Sequence, residues 1–214
     1  MSRYRVLFLD LDDTLYPSTS GLWDAIGERI NLYLRDRLGL DAEKVGVVRD
    51  RYLEKYGTTL NGLIAEHHID PYDYLDFVHD VPLDEILLPD PALSAMLEGL
   101  DLKRVIFTNS YVPHVERVLR RLGVEAQIDQ VIDIVALDFV NKPLPEAYRR
   151  ALALSHEVDP TACVIVDDRV LNLEPAASLG MEVVLVDEKG VAADGLPRIS
   201  RITQLVDALP DLLT

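Results

Sequence analysis

The chain has 214 residues, 49% of them hydrophobic, and a formal net charge of −16 at pH 7. That length supports one full core with a smaller module inserted, and the charge excludes general binding to nucleic acid polymers, which needs a basic footprint. A small anionic substrate is not excluded, because a local cation, Lys142 or a bound metal, can override the global field.

No apolar run is long enough to span a bilayer, so no membrane contact is expected. Met1–Tyr4 leads toward a strand without a leader pattern. Cys163 is the single cysteine, which rules out an intrachain disulfide and makes a cytoplasmic setting the expectation. Cys163 opens an apolar run with no neighbouring base, so a structural role is expected for it.

The first predicted strand, Val6–Leu9, breaks off in Asp10, Asp12, Asp13 and Thr14. Alternate residues of an extended segment point the same way, so Asp10 and Asp12 can share a face while Leu11 turns aside. Paired carboxylates repel each other unless a cation or a proton intervenes.

Beyond Leu15 the strand signal disappears until about Pro89. Leu22–Leu38 carries Leu22, Ile26, Ile30, Tyr33, Leu34 and Leu38 at helical spacing, and Gly39 closes it. Trp23 and Tyr33 are read as core residues of this helical region. Ala42–Tyr56 is a second predicted helix, ended by Gly57, and Thr59–His67 and Pro71–His79 are shorter ones. The simplest account is a helical module of roughly seventy residues, a normal size for a small domain. It occupies 17–88, with residues 1–16 and 89–214 forming the core domain.

From there short β-branched runs alternate with helical segments. Val105–Phe107, Val131–Leu137, Val164–Val166 and Val183–Val186 read as strands buried on both faces. Val112–Leu122, Pro145–Ser155 and Asn172–Leu179 read as helices, and Ile202–Leu213 as a final amphipathic segment. The alternation predicts an α/β fold, a doubly wound parallel sheet with right-handed crossovers.

Four polar clusters fall at or just past strand ends: Asp10 to Thr14, Thr108-Asn109-Ser110, Lys142 before Pro143, and Asp167-Asp168. Singly, each has a plain structural reading as a turn, a solvated loop or a helix cap. Together they supply what phosphoryl transfer needs. A hard divalent cation such as Mg²⁺ takes a few carboxylates plus water, and Asp10, Asp167 and Asp168 can provide them. The Thr108 hydroxyl and the Lys142 ammonium suit phosphate oxygens. One carboxylate can act as nucleophile and the next as acid and base.

These residues resemble the four motifs of the haloacid dehalogenase (HAD) superfamily, across the length of the chain. The resemblance implies Asp10 as nucleophile and metal ligand. It implies Asp12 as general acid and base, also binding the metal through its carbonyl. Thr108 and Lys142 are implied to stabilise phosphate and nucleophile, and Asp168 to bind Mg²⁺, with Asp167 as a second acidic member. The position four residues after Asp168, often acidic in relatives, is Asn172 here, which leaves it no more than a supporting role. The helical insert is similar to a C1 cap.

A closer resemblance is to the pyrimidine 5′-nucleotidase-like branch, carried by Asp10–Pro17, Tyr56–Leu63, His67 to Asp70, Val78–Asp80 and Ile106–Ser110. It implies a small phosphorylated metabolite, a pyrimidine nucleoside 5′-monophosphate first, with the protein acting as a monomer or homodimer. Asn109, His67 and His79 are then substrate-binding candidates beside Thr108 and Lys142, with surface or packing roles as the alternative for the histidines. Displacing halide needs no protonation, so Asp12 disfavours the dehalogenase chemistry. Phosphatases of sugar or other metabolite phosphates, a phosphomutase, and a catalytically silent regulatory or binding protein remain as alternatives.

Overall fold

The computed structural model describes residues 3–190 and 195–213. The chain divides into two compact units, one formed by the segments up to Ser20 and from Leu87 onward, the other by Gly21–Ile86.

The first unit is built on a six-stranded sheet whose strands are β1 (Val6–Leu9), β2 (Lys103–Phe107), β3 (Gln130–Ile132), β4 (Cys163–Asp167), β5 (Glu182–Val186) and β6 (Arg198–Ile199). The order is β3-β2-β1-β4-β5-β6 and every pairing is parallel. This is the doubly wound arrangement. Chain progression reverses between β1 and β4, which opens a crevice at their carboxyl ends.

Both faces of the sheet are buried, which is why these strands read as continuous apolar runs. Val6, Phe8, Val105, Phe107, Cys163, Ile165, Val183 and Leu185 pack into one core cluster with Ala147, Tyr148 and Leu173. Leu7, Leu9, Ile106, Val164, Val166 and Val184 are equally buried and alternate with them along the strands.

The second unit is helical: α1 (Leu22–Asp36), α2 (Ala42–Tyr56), α3 (Thr59–His67), α4 (Pro71–Val78) and α5 (Leu83–Ile86). Leu22, Ile26, Ile30, Tyr33 and Leu34 form the buried stripe of α1. Thr58 caps α3 by accepting the Asn61 N–H, and Asp70 caps α4 by accepting that of Tyr72. Tyr33 sits edge-on to Tyr74 and Phe77 of α4. Trp23 corrects the expectation of a core residue: it is 44% exposed, on the outer side of α1.

The first unit continues with α6 (Pro91–Glu98), α7 (Val112–Leu122), α8 (Pro145–Leu154), α9 (Val170–Leu179) and α10 (Leu205–Ala208). The sequence reading did not resolve α6, where Asp90 accepts the N–H groups of Ala92 and Leu93. It also missed β6.

The predicted strand Val131–Leu137 is cut short after Ile132. There the Asp133 carboxylate accepts the N–H groups of Val112 and Ala136 and bends the chain into a turn. Ile134 and Leu137 are buried in that turn, so their apolar character reports burial rather than strand. The tail around 202–213 is likewise broken, into two 3₁₀ turns flanking α10. Among the described residues no helix is long and apolar enough to cross a membrane.

Candidate active site

Register brings the acidic residues together. Phe8 pairs with Ile165 and Leu9 with Val166, so one further step sets Asp10 beside Asp167. The Asp10 N–H donates to Val166 O at 2.9 Å, which carries the ladder to the start of the loop. Carboxylate oxygens of Asp10, Asp167 and Asp168 lie within 4.8 Å of one another.

Lys142 is the cation among them. Its Nζ donates to Asp10 Oδ1 and to Asp167 Oδ2, each at 2.7 Å, and the side chain is 1% exposed. Burial works against its charge, but Asp10 and Asp167 outweigh that and hold the ammonium well above the usual lysine range. Its position is set by Asn109, whose Nδ2 donates to Lys142 O at 3.0 Å while its Oδ1 accepts the Lys142 N–H at 2.8 Å. Asn141 Nδ2 donates to the same carbonyl at 2.7 Å. Asn109 thus places Lys142 through both ends of its amide.

The carboxylates are not equivalent. Asp167 is fully buried and accepts Lys142 Nζ, the Arg169 N–H and the Asn172 amide, which reaches both its oxygens at 2.9 and 3.1 Å. Asn172 thus takes the supporting role left to it, and the Tyr148 hydroxyl donates to its carbonyl. No hydrogen bond reaches the Asp168 carboxylate among the described residues, and burial with Asp167 beside it pushes this group up to about 7. Burial likewise raises Asp10 well above the usual range, with Asp167 and Asp168 adding to the effect against Lys142. One ammonium cannot compensate the three carboxylates of this cluster. An oxygen-only donor set with surplus negative charge fits a hard divalent cation, with Asp10 and Asp168 the carboxylates least committed to the protein.

Thr14 Oγ1 donates to the second Asp10 oxygen at 3.2 Å. Thr108, 1% exposed, donates its N–H to Ile132 O, and its Oγ1 accepts the Ser110 N–H at 3.0 Å, leaving its own O–H to donate.

Asp12 has a separate set of partners. Tyr16 OH donates to Oδ1 at 2.6 Å, Ser110 Oγ to Oδ2 at 2.6 Å, and His114 Nε2 lies 3.0 Å from Oδ1. Burial would raise this carboxyl, but His114 and the two hydroxyls outweigh it and hold it well below the usual carboxylate range. An ionised carboxylate only accepts, so His114 Nε2 carries the hydrogen.

The sequence reading named neither Tyr16 nor His114 and gave Ser110 no role. His114 was findable in principle: it falls with Val118 and Leu122 on the buried stripe of α7, where a polar side chain needs a reason.

The remaining candidates lie in the helical unit. His67, at the end of α3, is exposed, and its Nε2 lies 3.0 Å from Tyr52 OH. His79 is 5% exposed, and its Nδ1–H donates to Leu75 O at 2.8 Å.

The chain is similar to known proteins in sequence and in fold. Phosphate metabolism protein 8 of Saccharomyces cerevisiae is 28% identical over 195 residues, which cover 85% of this chain and 61% of that protein. The present chain therefore spans less than two thirds of that relative's length. Among solved structures, an HAD phosphatase from Thermococcus onnurineus is similar with a TM-score of 0.63 at 21% identity, over 99% of this chain and 100% of that one. L-2-haloacid dehalogenase from Xanthobacter autotrophicus gives 0.59 at 18%, over 97% and 98%. These two are likenesses of fold. The model of the haloacid dehalogenase-like hydrolases matches residues 4–180, most of the chain and every element that carries the acidic cluster and its lysine. The chain belongs to the haloacid dehalogenase-like hydrolase family.

Proposed function

We propose that this hydrolase is a Mg²⁺-dependent phosphomonoesterase working through an aspartyl-phosphate, with nucleoside 5′-monophosphates, pyrimidines first, as its substrates. The observation that carries the phosphatase reading is Asp12: a second carboxylate two residues beyond Asp10, held on separate donors and away from the lysine. An ester oxygen leaving phosphorus needs a proton, whereas a leaving halide does not.

In the first step an Asp10 oxygen attacks phosphorus and the ester P–O bond breaks. Asp12, ionised in the free protein, takes up a proton from solvent as substrate binds and gives it to the departing oxygen. In the second, water attacks the aspartyl-phosphate, Asp12 takes the water proton, and Asp10 and inorganic phosphate are released. The Lys142 ammonium fixes the attacking carboxylate, and the Thr108 hydroxyl is placed to donate to a phosphoryl oxygen. Mg²⁺, held by Asp10 and Asp168, would supply charge neutralisation for the phosphoryl oxygens.

The names of two relatives, a phosphate metabolism protein and an HAD phosphatase, support phosphate chemistry. The motifs shared with the pyrimidine 5′-nucleotidase-like branch support the nucleotide reading.

A panel of nucleotides, sugar phosphates and p-nitrophenyl phosphate, read by released phosphate with and without Mg²⁺, tests both levels. Pyrimidine nucleoside monophosphates should lead in kcat/KM, and Asp10→Asn should release none. Mg²⁺ should raise the melting temperature of the wild type and do so less for Asp168→Ala. Sugar phosphates outranking every nucleotide would remove the nucleotidase assignment. Steady turnover by Asp10→Asn would remove the covalent mechanism.

A further inference from the structure

Asp12 is bound more fully than a residue that merely ends a loop. Its partners come from three separate places: Tyr16 from the loop after β1, Ser110 from the loop after β2, and His114 from the first turn of α7. All three are buried, at 2%, 6% and 1% exposure, so each polar group would be costly to leave unmade.

The donors are divided unequally. A carboxylate oxygen has two acceptor sites. Among the described residues Oδ1 has both filled, by Tyr16 OH and His114 Nε2, while Oδ2 has one filled, by Ser110.

We propose that Tyr16, Ser110 and His114 are positioning residues that aim Asp12 for proton transfer, with Oδ2 the oxygen that carries the proton. The proposal rests on the phosphatase reading and deepens it. A proton on Oδ2 uses the open site and leaves all three donors in place. A proton on Oδ1 would have to evict the tyrosine or the histidine. The same cradle therefore serves Asp12 as acid, with Oδ2–H directed at the ester oxygen, and as base, with Oδ2 receiving the proton of water. In both steps the proton count balances: one leaves Oδ2 for the alcohol product, and one returns from water.

A merely structural cradle would weaken folding without distinguishing substrates. A positioning cradle must show itself in the step where proton transfer matters most. Single-turnover phosphorylation of Asp10 should therefore be followed with uridine 5′-monophosphate, whose leaving group is an alkoxide, and with p-nitrophenyl phosphate, whose leaving group needs little help.

Ser110→Ala and Tyr16→Phe each remove one oxygen and little else. Each should slow phosphorylation by the nucleotide about tenfold or more, a part of what general acid catalysis supplies. The aryl ester should be affected much less, and KM should barely move. His114→Leu should behave in the same way, and His114→Gln, which keeps an N–H near the Nε2 position, should recover most of the rate.

Equal losses on the two esters, or a change confined to KM, would overturn the proposal. If His114→Leu fails to fold, the serine and tyrosine variants decide it alone. Wild-type protein that transfers phosphate from neither ester would overturn the phosphatase reading and this proposal with it. Wild-type turnover with indifferent variants would overturn only the proposal.

Discussion

Lys142 shows how much one side chain carries here. Its ammonium lies between two buried carboxylates, 2.7 Å from each. Breaking such an arrangement by removing the cation costs more than the ion pair is worth, because the carboxylates are left buried without compensation. Lys142→Met keeps the length and apolar stem while deleting the charge. We expect it to abolish turnover and to lower stability by about 3–5 kcal/mol, read as a drop in the urea midpoint without a change in slope. An unchanged midpoint would mean that the carboxylates find other compensation in the folded chain.

At the scale of elements, α2 and α3 approach closely where Gly62 faces Tyr52. A methyl group added at Gly62 would meet the Tyr52 ring at 2.3 Å, and that ring is 1% exposed and cannot swing clear. Helix propensity favours alanine over glycine by about 1 kcal/mol, while overpacking a dense contact costs about 1–3 kcal/mol. With ring atoms this close the steric cost should win. Gly62→Ala should therefore lower the melting temperature, and a rise would show that the pair can separate without loss. Neither the contact nor its sign was visible beforehand. Gly62 reads as an ordinary glycine in a helical segment, and only the packed structure shows what faces it.

The same boundary between the legible and the illegible runs through the rest of the chain. Strands β1, β2, β4 and β5 were legible because burial on both faces writes itself as an apolar run. The helices α2 and α7 were legible because glycines at 57 and 123, both αL, mark where their turns stop. The turn after β3 was not, because an apolar residue buried in a turn looks like one buried in a strand. Asp10 and the Asp167-Asp168 pair were legible because each sits at a strand end, and Lys142, in the loop between β3 and α8, through the motif it resembles. The cradle of Asp12 was not, because Ser110 and His114 reach it across 98 and 102 residues of sequence.

At the scale of the whole molecule, one clasp ties the start of the sheet to the strand beside it. Arg5 donates through Nε and Nη2 to the two oxygens of Glu157 at 2.7 and 2.9 Å, and Glu157 also accepts the N–H groups of Val158 and Asp159. The hydrogen bonds from Arg5 lower this carboxyl to about 2. A folded-state value below the unfolded one, about 4.3 for glutamate, stabilises the fold above that pH. The contribution is lost as pH falls toward about 2. Arg5 is half exposed, so solvent screens the effect and its size should be modest. The stability difference between wild type and Glu157→Gln should therefore be larger at neutral pH than at about pH 3. A difference independent of pH would place the value of the clasp in packing rather than charge.

The amide of Asp10 lies inside the ladder between β1 and β4, the two innermost strands of the sheet. Its hydrogen can trade with solvent deuterium only when those strands part, and in a cooperative domain that amounts to unfolding. The backbone of Asp10 is thus a built-in clock for the global opening of this unit. Its exchange should keep pace with that of Leu9 next to it, whatever surface loops do. Rapid labelling at Asp10 while Leu9 stays protected would mean that the site can open by itself, and that Asp10 is less firmly seated than the ladder implies.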